Sequence, residues 1–298
     1  MSNTVKTAVM TDTNSSIFEE EAKELGVFAI PMPILIDGRV YYEGISISNE
    51  EFLKALREKR DVSTSQPSPA DVMEAWDRVL SSDYDEIVYI PMTSGLSSSY
   101  AMAAGCAADY DGKVAVVDNR RISIAQKTTV LDARNMADRG MRADQIRGVL
   151  EAQALDYIIY LAVDTLEYFM KSGRAASSAA SLVTNVLNVK PILKTNGNTF
   201  EPVTVARGEK KCAEKMLDAI RLNLSTRFKD TEPSELLIGA ATSCVERKDA
   251  EHWFSLVQEA FPDHPTAYVP LSCNITVHTG PNARGMAVIR RIKKSAGK

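Results

Sequence analysis

The chain reads as an α/β protein of two domains: an N-terminal three-layer α/β/α unit with a mostly parallel sheet, and a C-terminal two-layer α/β unit with a mixed sheet. Three observations predict this. In the first half, short β-rich apolar runs alternate with helical stretches, the pattern of a parallel sheet covered on both faces. In the second half, Asn188 to Lys194 and Phe200 to Ala206 flank the turn Thr195-Asn196-Gly197-Asn198, a hairpin signal. Finally, 298 residues suffice for more than one core. The boundary is placed near Asp164, giving units of residues 1–164 and 165–298.

A first strand, Val5 to Met10, ends in a hydroxyl-rich loop, Thr11 to Ser16. Ser15 or Ser16 is the expected cap of the next helix, whose first turn carries Glu19, Glu20 and Glu21 on the favourable side of its dipole. The apolar stretch Val27 to Ile36 meets Asp37-Gly38, a hairpin turn, and returns as Arg39 to Tyr42. Ser48 and Glu51 form a capping box ahead of a helix through Lys59. Val62 to Pro69 reads as a loop held extended by Pro67 and Pro69, with Ser68-Pro69 opening a helix through Leu80.

The strand around Ile87 to Ile90 breaks at Ser94-Gly95 into the helix Tyr100 to Ala108. Such a strand–turn–helix junction is where open α/β sheets place ligands, and its free amides and hydroxyls favour an anion or carboxylate. Strand Val114 to Val117, helices to about Asp138 and from Asp144, and strand Tyr157 to Val163 follow. Beyond the hairpin come a helix from Gly208 to about Phe228, strand Leu236 to Ala241, helix Arg247 to Ala260 and strand Thr266 to Leu271. Ile275 and Val277 alternate as in a strand, placing His278 at a strand end, and a last strand runs from Gly285 to Ile292.

Composition narrows the chemistry. A formal net charge of −4 gives no excess positive field for nucleic acid. Met1 to Met10 has no apolar leader core, and no apolar run approaches a bilayer span. Four widely spaced cysteines read as reduced thiols of a cytoplasmic protein, and three histidines fall at no metal-ligand spacing. Neither a dinucleotide fingerprint nor a phosphate-binding loop is present. What remains are three hydroxyl-rich loops expected at one sheet edge (Thr11 to Ser16, Ser63 to Ser65, Thr93 to Ser99), with Arg174 and His278 from the second half.

Seven short segments occur in one order: Thr11-Asp12-Thr13, Thr64-Ser65-Gln66-Pro67, Ser94-Gly95-Leu96-Ser97, Val117-Asp118, Lys171-Ser172-Gly173-Arg174, Lys190-Pro191-Ile192-Leu193 and His278-Thr279-Gly280-Pro281. Together, from about Val5 to Ile292, they resemble the bacterial DegV family, the fatty-acid-binding subunit of fatty acid kinase. The resemblance implies one long-chain fatty acid held in an interdomain cleft, with no cofactor, no metal and no catalysis by this chain. It maps carboxylate binding onto Thr64, Ser94, His278 and Thr279, with Ser65, Gly95, Ser97 and Arg174 in support. Leu166, Phe169, Leu182 and Val186 are candidate tunnel residues. The implied partner is a separate ATP-dependent kinase that phosphorylates the presented carboxylate; transient contact with a membrane surface is compatible with such a carrier. The competing reading is a serine hydrolase with Ser97 as nucleophile and His278 as base, because Gly95-Leu96-Ser97-Ser98-Ser99 approaches a nucleophile elbow. Ser99 where the elbow needs its second glycine weakens it.

Overall fold

The computed structural model describes residues 5–182 and 188–292. In chain order it runs β1 (Thr7–Asp12), α1 (Glu19–Leu25), β2 (Phe28–Ile30), β3 (Pro33–Ile36), β4 (Arg39–Tyr42), α2 (Asn49–Arg57), β5 (Val62–Thr64) and α3 (Pro69–Leu80). It continues with β6 (Glu86–Ile90), α4 (Ser99–Ala107), β7 (Val114–Val116), α5 (Ile124–Asp138), α6 (Ala143–Ala152), β8 (Tyr157–Ala162), α7 (Glu167–Ser172) and β9 (Val189–Thr195). The remainder is β10 (Glu201–Arg207), α8 (Glu209–Ser225), β11 (Leu236–Thr242), α9 (Arg247–Ala260), β12 (Thr266–Pro270), α10 (Cys273–Thr279) and β13 (Arg284–Arg290).

Strands β2-β1-β6-β7 form an all-parallel sheet. Every residue of β1, β6 and β7 is buried, because helices cover both faces. One face packs Val9, Val88 and Ile90 against Val130, Ala133 and Ile146 of α5 and α6. The other packs Met10, Ile87 and Tyr89 against Val72 and Trp76 of α3 and Ala103 of α4. This is the expected three-layer unit.

The second sheet, β10-β9-β8-β13-β11-β12, is antiparallel except for the parallel pair β11–β12. Its outer face is buried beneath α8 and α9 through Cys212, Met216, Ile220, Trp253 and Val257. Its inner face, with Ile159, Leu161, Leu193 and Ala287, joins Met92, Leu96, Ile122 and Ile124 of the first unit in a continuous apolar cluster. Two units sharing a greasy face, rather than two separate cores, is what creates the site.

Five local expectations are corrected. Strand β8, read as part of the first unit, is central in the second sheet, paired with β13 and β9; sheet membership puts the division before Tyr157 rather than near Asp164. The Val27 to Ile36 stretch splits at Pro31 and Pro33, since proline cannot donate to a ladder. Its second half pairs with β4 across Asp37-Gly38 (φ 49° and 77°) and with β5, giving a small antiparallel sheet where Val62 to Thr64 reads as loop. The N-cap of α1 is Phe18 without a side-chain bond, and Ser16 (φ 61°) closes a tight turn before it. Finally, the segment holding His278 is the helix α10. Ser272 caps it by accepting from the Ile275 amide, and Cys273 and Val277, one turn apart, pack on the small sheet. The β-branched residues suggest a strand, but tertiary packing overrides that preference.

Candidate functional site

The small sheet and α10 meet through Ile34, Ile36, Phe52, Val62, Cys273 and Val277. That packing brings Thr64, the last residue of β5, to 2.9 Å from Nε2 of His278 (Thr64 Oγ1 to Nε2) across 214 positions of chain. Ser94, on the turn after β6, faces the same depression of about 580 Å³, which Ser65, Gln66, Ser97 and Arg174 also line. Hydroxyls from two loops therefore converge, although Thr64 comes from the small sheet rather than from the edge of the parallel one. The third loop does not reach the mouth: Thr11 to Ser16 is buried behind it.

The electrostatics of the mouth centre on Arg174. This half-buried guanidinium donates to the Ser172 carbonyl at 2.6 Å and has no carboxylate partner among the described residues. Burial pulls its pKa below the usual arginine value. The same burial, helped by the Arg174 charge, pushes His278 down from 6.5 to about 3, so its ring is neutral at physiological pH. A protonated histidine is thus not the cation of this site. Nδ1 of His278 has no partner among the described residues. A buried N–H left unpaired costs more than a buried lone pair, so the proton belongs on Nε2, donated to Thr64. The Thr64 hydroxyl hydrogen is then free to point at a bound anion.

Ser94 is placed differently. Its hydroxyl donates to Asp118 Oδ2 at 2.9 Å, and Nη1 of Arg120 lies 3.3 Å from Ser94 Oγ. Contact with a carboxylate requires that hydroxyl to turn away from Asp118. Ser65 is exposed at the rim. Ser97 accepts from the Ser99 amide at 3.1 Å and pairs with its hydroxyl at 2.8 Å, an anchoring role at the start of α4. Its bonds go to Ser99 and that of His278 goes to Thr64, so the nucleophile–base hydrogen bond of the hydrolase reading is not made. Thr279 is buried with its hydroxyl on the Gly280 carbonyl (3.2 Å), lining the interior rather than the mouth.

Behind the mouth lies an apolar cavity of about 60 Å³ between the inner face of the second sheet and the first unit. Ile124, Ile159, Leu161, Phe169, Phe200 and Ala287 are among its walls. Met92, Leu96, Arg174, Asn274 and His278 line both cavity and mouth, so the two adjoin across these side chains. Of the four tunnel candidates, Phe169 lines the cavity, its ring tilted 60° to that of Phe200 with centroids 5.1 Å apart, and Leu166 packs in the surrounding cluster. The Leu182 side chain and Val186 lie outside the described residues.

Several residues in the segments singled out from the sequence have structural tasks that the sequence does not reveal. Asp12, fully buried, accepts from the amides of Met92 (2.8 Å) and Asn14 (3.0 Å) and from Gln126 Nε2 (3.2 Å); desolvation raises its carboxyl to about 6. It holds the residue that begins the cavity wall. Asn14 accepts from the Ser272 cap of α10 at 3.1 Å, tying the two units together. Gly95 has a reason other than turn conformation. A Cβ there would sit 2.0 Å from the Gly197 carbonyl oxygen, because the β9–β10 turn lies directly on this loop. Thr93 donates to that same carbonyl at 2.6 Å, and Arg120 bonds Asn198 of the turn.

The DegV family model matches residues 6–291. This chain belongs to the DegV family. A DegV domain-containing protein of Caldanaerobacter subterraneus subsp. tengcongensis is 29% identical over 286 residues, 94% of this chain and 98% of the relative. One from Deinococcus radiodurans is 28% identical over 285 residues, 94% and 97% of the two chains. Among solved structures, a DegV family protein from Thermus thermophilus, described for its fatty acid binding, superimposes with a TM-score of 0.83 at 25% identity, covering 96% of this chain and 100% of that one. A stearic acid-binding protein from Eubacterium ventriosum shares the fold at a TM-score of 0.82 and 20% identity, covering 96% and 98%. No described helix of this DegV protein is long and apolar enough to cross a membrane.

The neutral His278 has a consequence for stability. Between about pH 6.5 and 3 the unfolded chain binds a proton at this position that the folded chain refuses, so stability is full above the window and falls as pH drops through it. Asp12 acts in the opposite sense, because its raised pKa makes the folded state the better proton binder between 3.8 and about 6. His278→Gln is expected to flatten part of the acid destabilisation, read from urea midpoints at pH about 7 and about 4.5. An unchanged slope would mean that His278 titrates normally in the fold.

Proposed function

We propose that this protein binds a single long-chain fatty acid, its carboxylate at the Arg174–Thr64–His278 junction and its tail between the two sheets. The observation that carries the reading is Arg174: a half-buried cation, without an acidic partner among the described residues, standing where a polar mouth becomes an apolar cavity. An amphiphile with one negative end and a hydrocarbon remainder satisfies both surroundings. Membership of a family with fatty-acid-binding structures supports it.

The energetics divide the work. At about 0.8 kcal/mol per methylene, some fourteen buried methylenes give roughly 11 kcal/mol of gross transfer energy. Charge-assisted hydrogen bonds to the head add about 1.5–3 kcal/mol each. The tail sets affinity, and the head-group residues set orientation. Met92 and Leu96 line both the mouth and the apolar cavity, and Met is the most adaptable core residue, so the entrance to the cavity is built of side chains that can adjust to an acyl chain.

In this reading the chain is a non-catalytic, cytoplasmic carrier that meets a membrane surface transiently and needs no cofactor. A separate ATP-dependent kinase phosphorylates the presented carboxylate: a carboxylate oxygen attacks the γ-phosphorus, the bond to the β,γ-bridging oxygen breaks, and ADP leaves. Retention of fatty acid after delipidation and reloading, measured by mass spectrometry, tests the binding half. Thr64→Ala is expected to lose more ligand than Ser94→Ala, because the Ser94 hydrogen is already committed to Asp118. Wild-type retention in Thr64→Ala would contradict the assignment.

A further inference from the structure

We infer that Asp118, although it does not line the mouth, limits how tightly the head group is held, because it competes with the bound carboxylate for the one hydrogen of the Ser94 hydroxyl. The role rests on the carrier reading and deepens it: Asp118 becomes a positioning residue that acts through Ser94.

Asp118 follows β7 at the carboxyl end of the parallel sheet, where its amide donates to Glu151 Oε1 of α6 at 3.1 Å. That bond fixes the backbone, and the side chain reaches Ser94, Oδ2 accepting its hydroxyl at 2.9 Å. Arg120 Nη1, 3.3 Å from Ser94 Oγ, donates to the hydroxyl oxygen and so does not compete for its hydrogen. A serine hydroxyl has a single hydrogen to give, and it cannot serve Asp118 and a ligand carboxylate together.

The surroundings are built for an exchange. Asp118 Oδ1 and Arg120 Nε are buried and without hydrogen-bond partners among the described residues, one acceptor and one donor left over in the same cluster. The two side chains already approach to 3.7 Å, Nη1 to Oδ2. When the Ser94 hydrogen turns to the carboxylate, Arg120 closes on Asp118 and replaces the lost bond. Without that replacement the turn would leave a buried acceptor unpaired, which is costly. The bond gained by the ligand is offset by the one Asp118 gives up, and the Asp118 charge opposes a second carboxylate on the other side of the hydroxyl. Ser94 therefore adds little net affinity while Asp118 is present, and Thr64 and Arg174 hold the head group. Such a limit suits a carrier that must surrender its ligand, since tail burial alone already favours retention.

Calorimetry with palmitate on the full chain is the test, with unfolding midpoints confirming the fold of each variant. Asp118→Ala is expected to bind about tenfold more tightly than wild type, because a charge-assisted bond becomes available without its competitor. Structural damage alone has the opposite sign. Asp118→Asn keeps the shape and an acceptor but not the charge, and is expected to gain about threefold; it carries the test if Asp118→Ala lowers the midpoint. Both gains should vanish in the Ser94→Ala background, since the competition runs through that hydroxyl. Gains that persist there would overturn the competition and leave only the field of the Asp118 charge. Unchanged or weaker binding in the folded single variants would overturn the role as well. Failure of wild type to bind palmitate at all would instead overturn the carrier reading itself.

Discussion

Arg174→Ala is expected to weaken fatty-acid binding by about ten- to a hundredfold while leaving the protein folded. A hydrogen bond to a charged partner is worth about 1.5–3 kcal/mol, and each 1.4 kcal/mol is about a factor of ten. The effect belongs to the head group alone, so shorter and longer acids should lose by the same factor even though their affinities differ. Arg174→Lys keeps the charge but not the planar fork, and should recover only part of the loss. The substitution also removes the positive charge that disfavours protonation of His278, so the imidazole pKa should rise, visible by NMR. Calorimetry with a homologous series of fatty acids reads the first effect. Unchanged affinity across the series would move the carboxylate away from this residue.

Gly95→Ala carries the largest expected effect on stability. Its methyl group would lie 2.0 Å from the Gly197 carbonyl oxygen and 2.8 Å from Asn198 Cα, both backbone atoms that cannot rotate away. Either the β9–β10 turn lifts off the Ser94 loop or the loop distorts. Relief costs at least the upper end of ordinary overpacking, about 3 kcal/mol, and loosens the Thr93 and Arg120 bonds to the same turn. Gly148→Ala is the control. That glycine lies on α6 with nothing near its would-be Cβ, and alanine there should gain up to about 1 kcal/mol. Urea midpoints separate the two, and a Gly95→Ala protein as stable as wild type would refute the close approach.

Sequence and structure agree where a residue's local chemistry decides its conformation. The capping box at Ser48, the Ser68-Pro69 start of α3, the Asp37-Gly38 hairpin and the bounds of α9 follow from neighbours within a few positions. The all-buried strands of the first unit are equally legible, because only a parallel sheet covered on both faces makes them so. Legibility ends where distant segments decide. The Ile275 and Val277 alternation favours a strand until Ser272 caps the segment and the small sheet takes up Cys273 and Val277. Strand β8 resembles its predecessors, yet β9 and β13 claim it.

The same division holds at the site. Thr64, Ser94, Arg174 and His278 were legible as residue types, and the fold brings all four to one depression. Their states were not. That His278 is neutral follows from burial beside Arg174, and that Ser94 is engaged follows from Asp118, 24 positions away. Asp12, whose carboxylate positions Met92 from 80 positions away, carries no local sign of that task.

The most direct test of a carboxylate seated beside Arg174 is the ¹³C NMR titration of carboxyl-labelled palmitate bound to the full chain. One bound resonance is expected, and an adjacent guanidinium should hold its carboxyl ionised well below the pKa of a free carboxylic acid, so the resonance stays constant from about pH 8 to about pH 5 in wild type and shifts in Arg174→Ala. A bound carboxyl that titrates like the free acid, or one indifferent to Arg174, would contradict this placement of the head group.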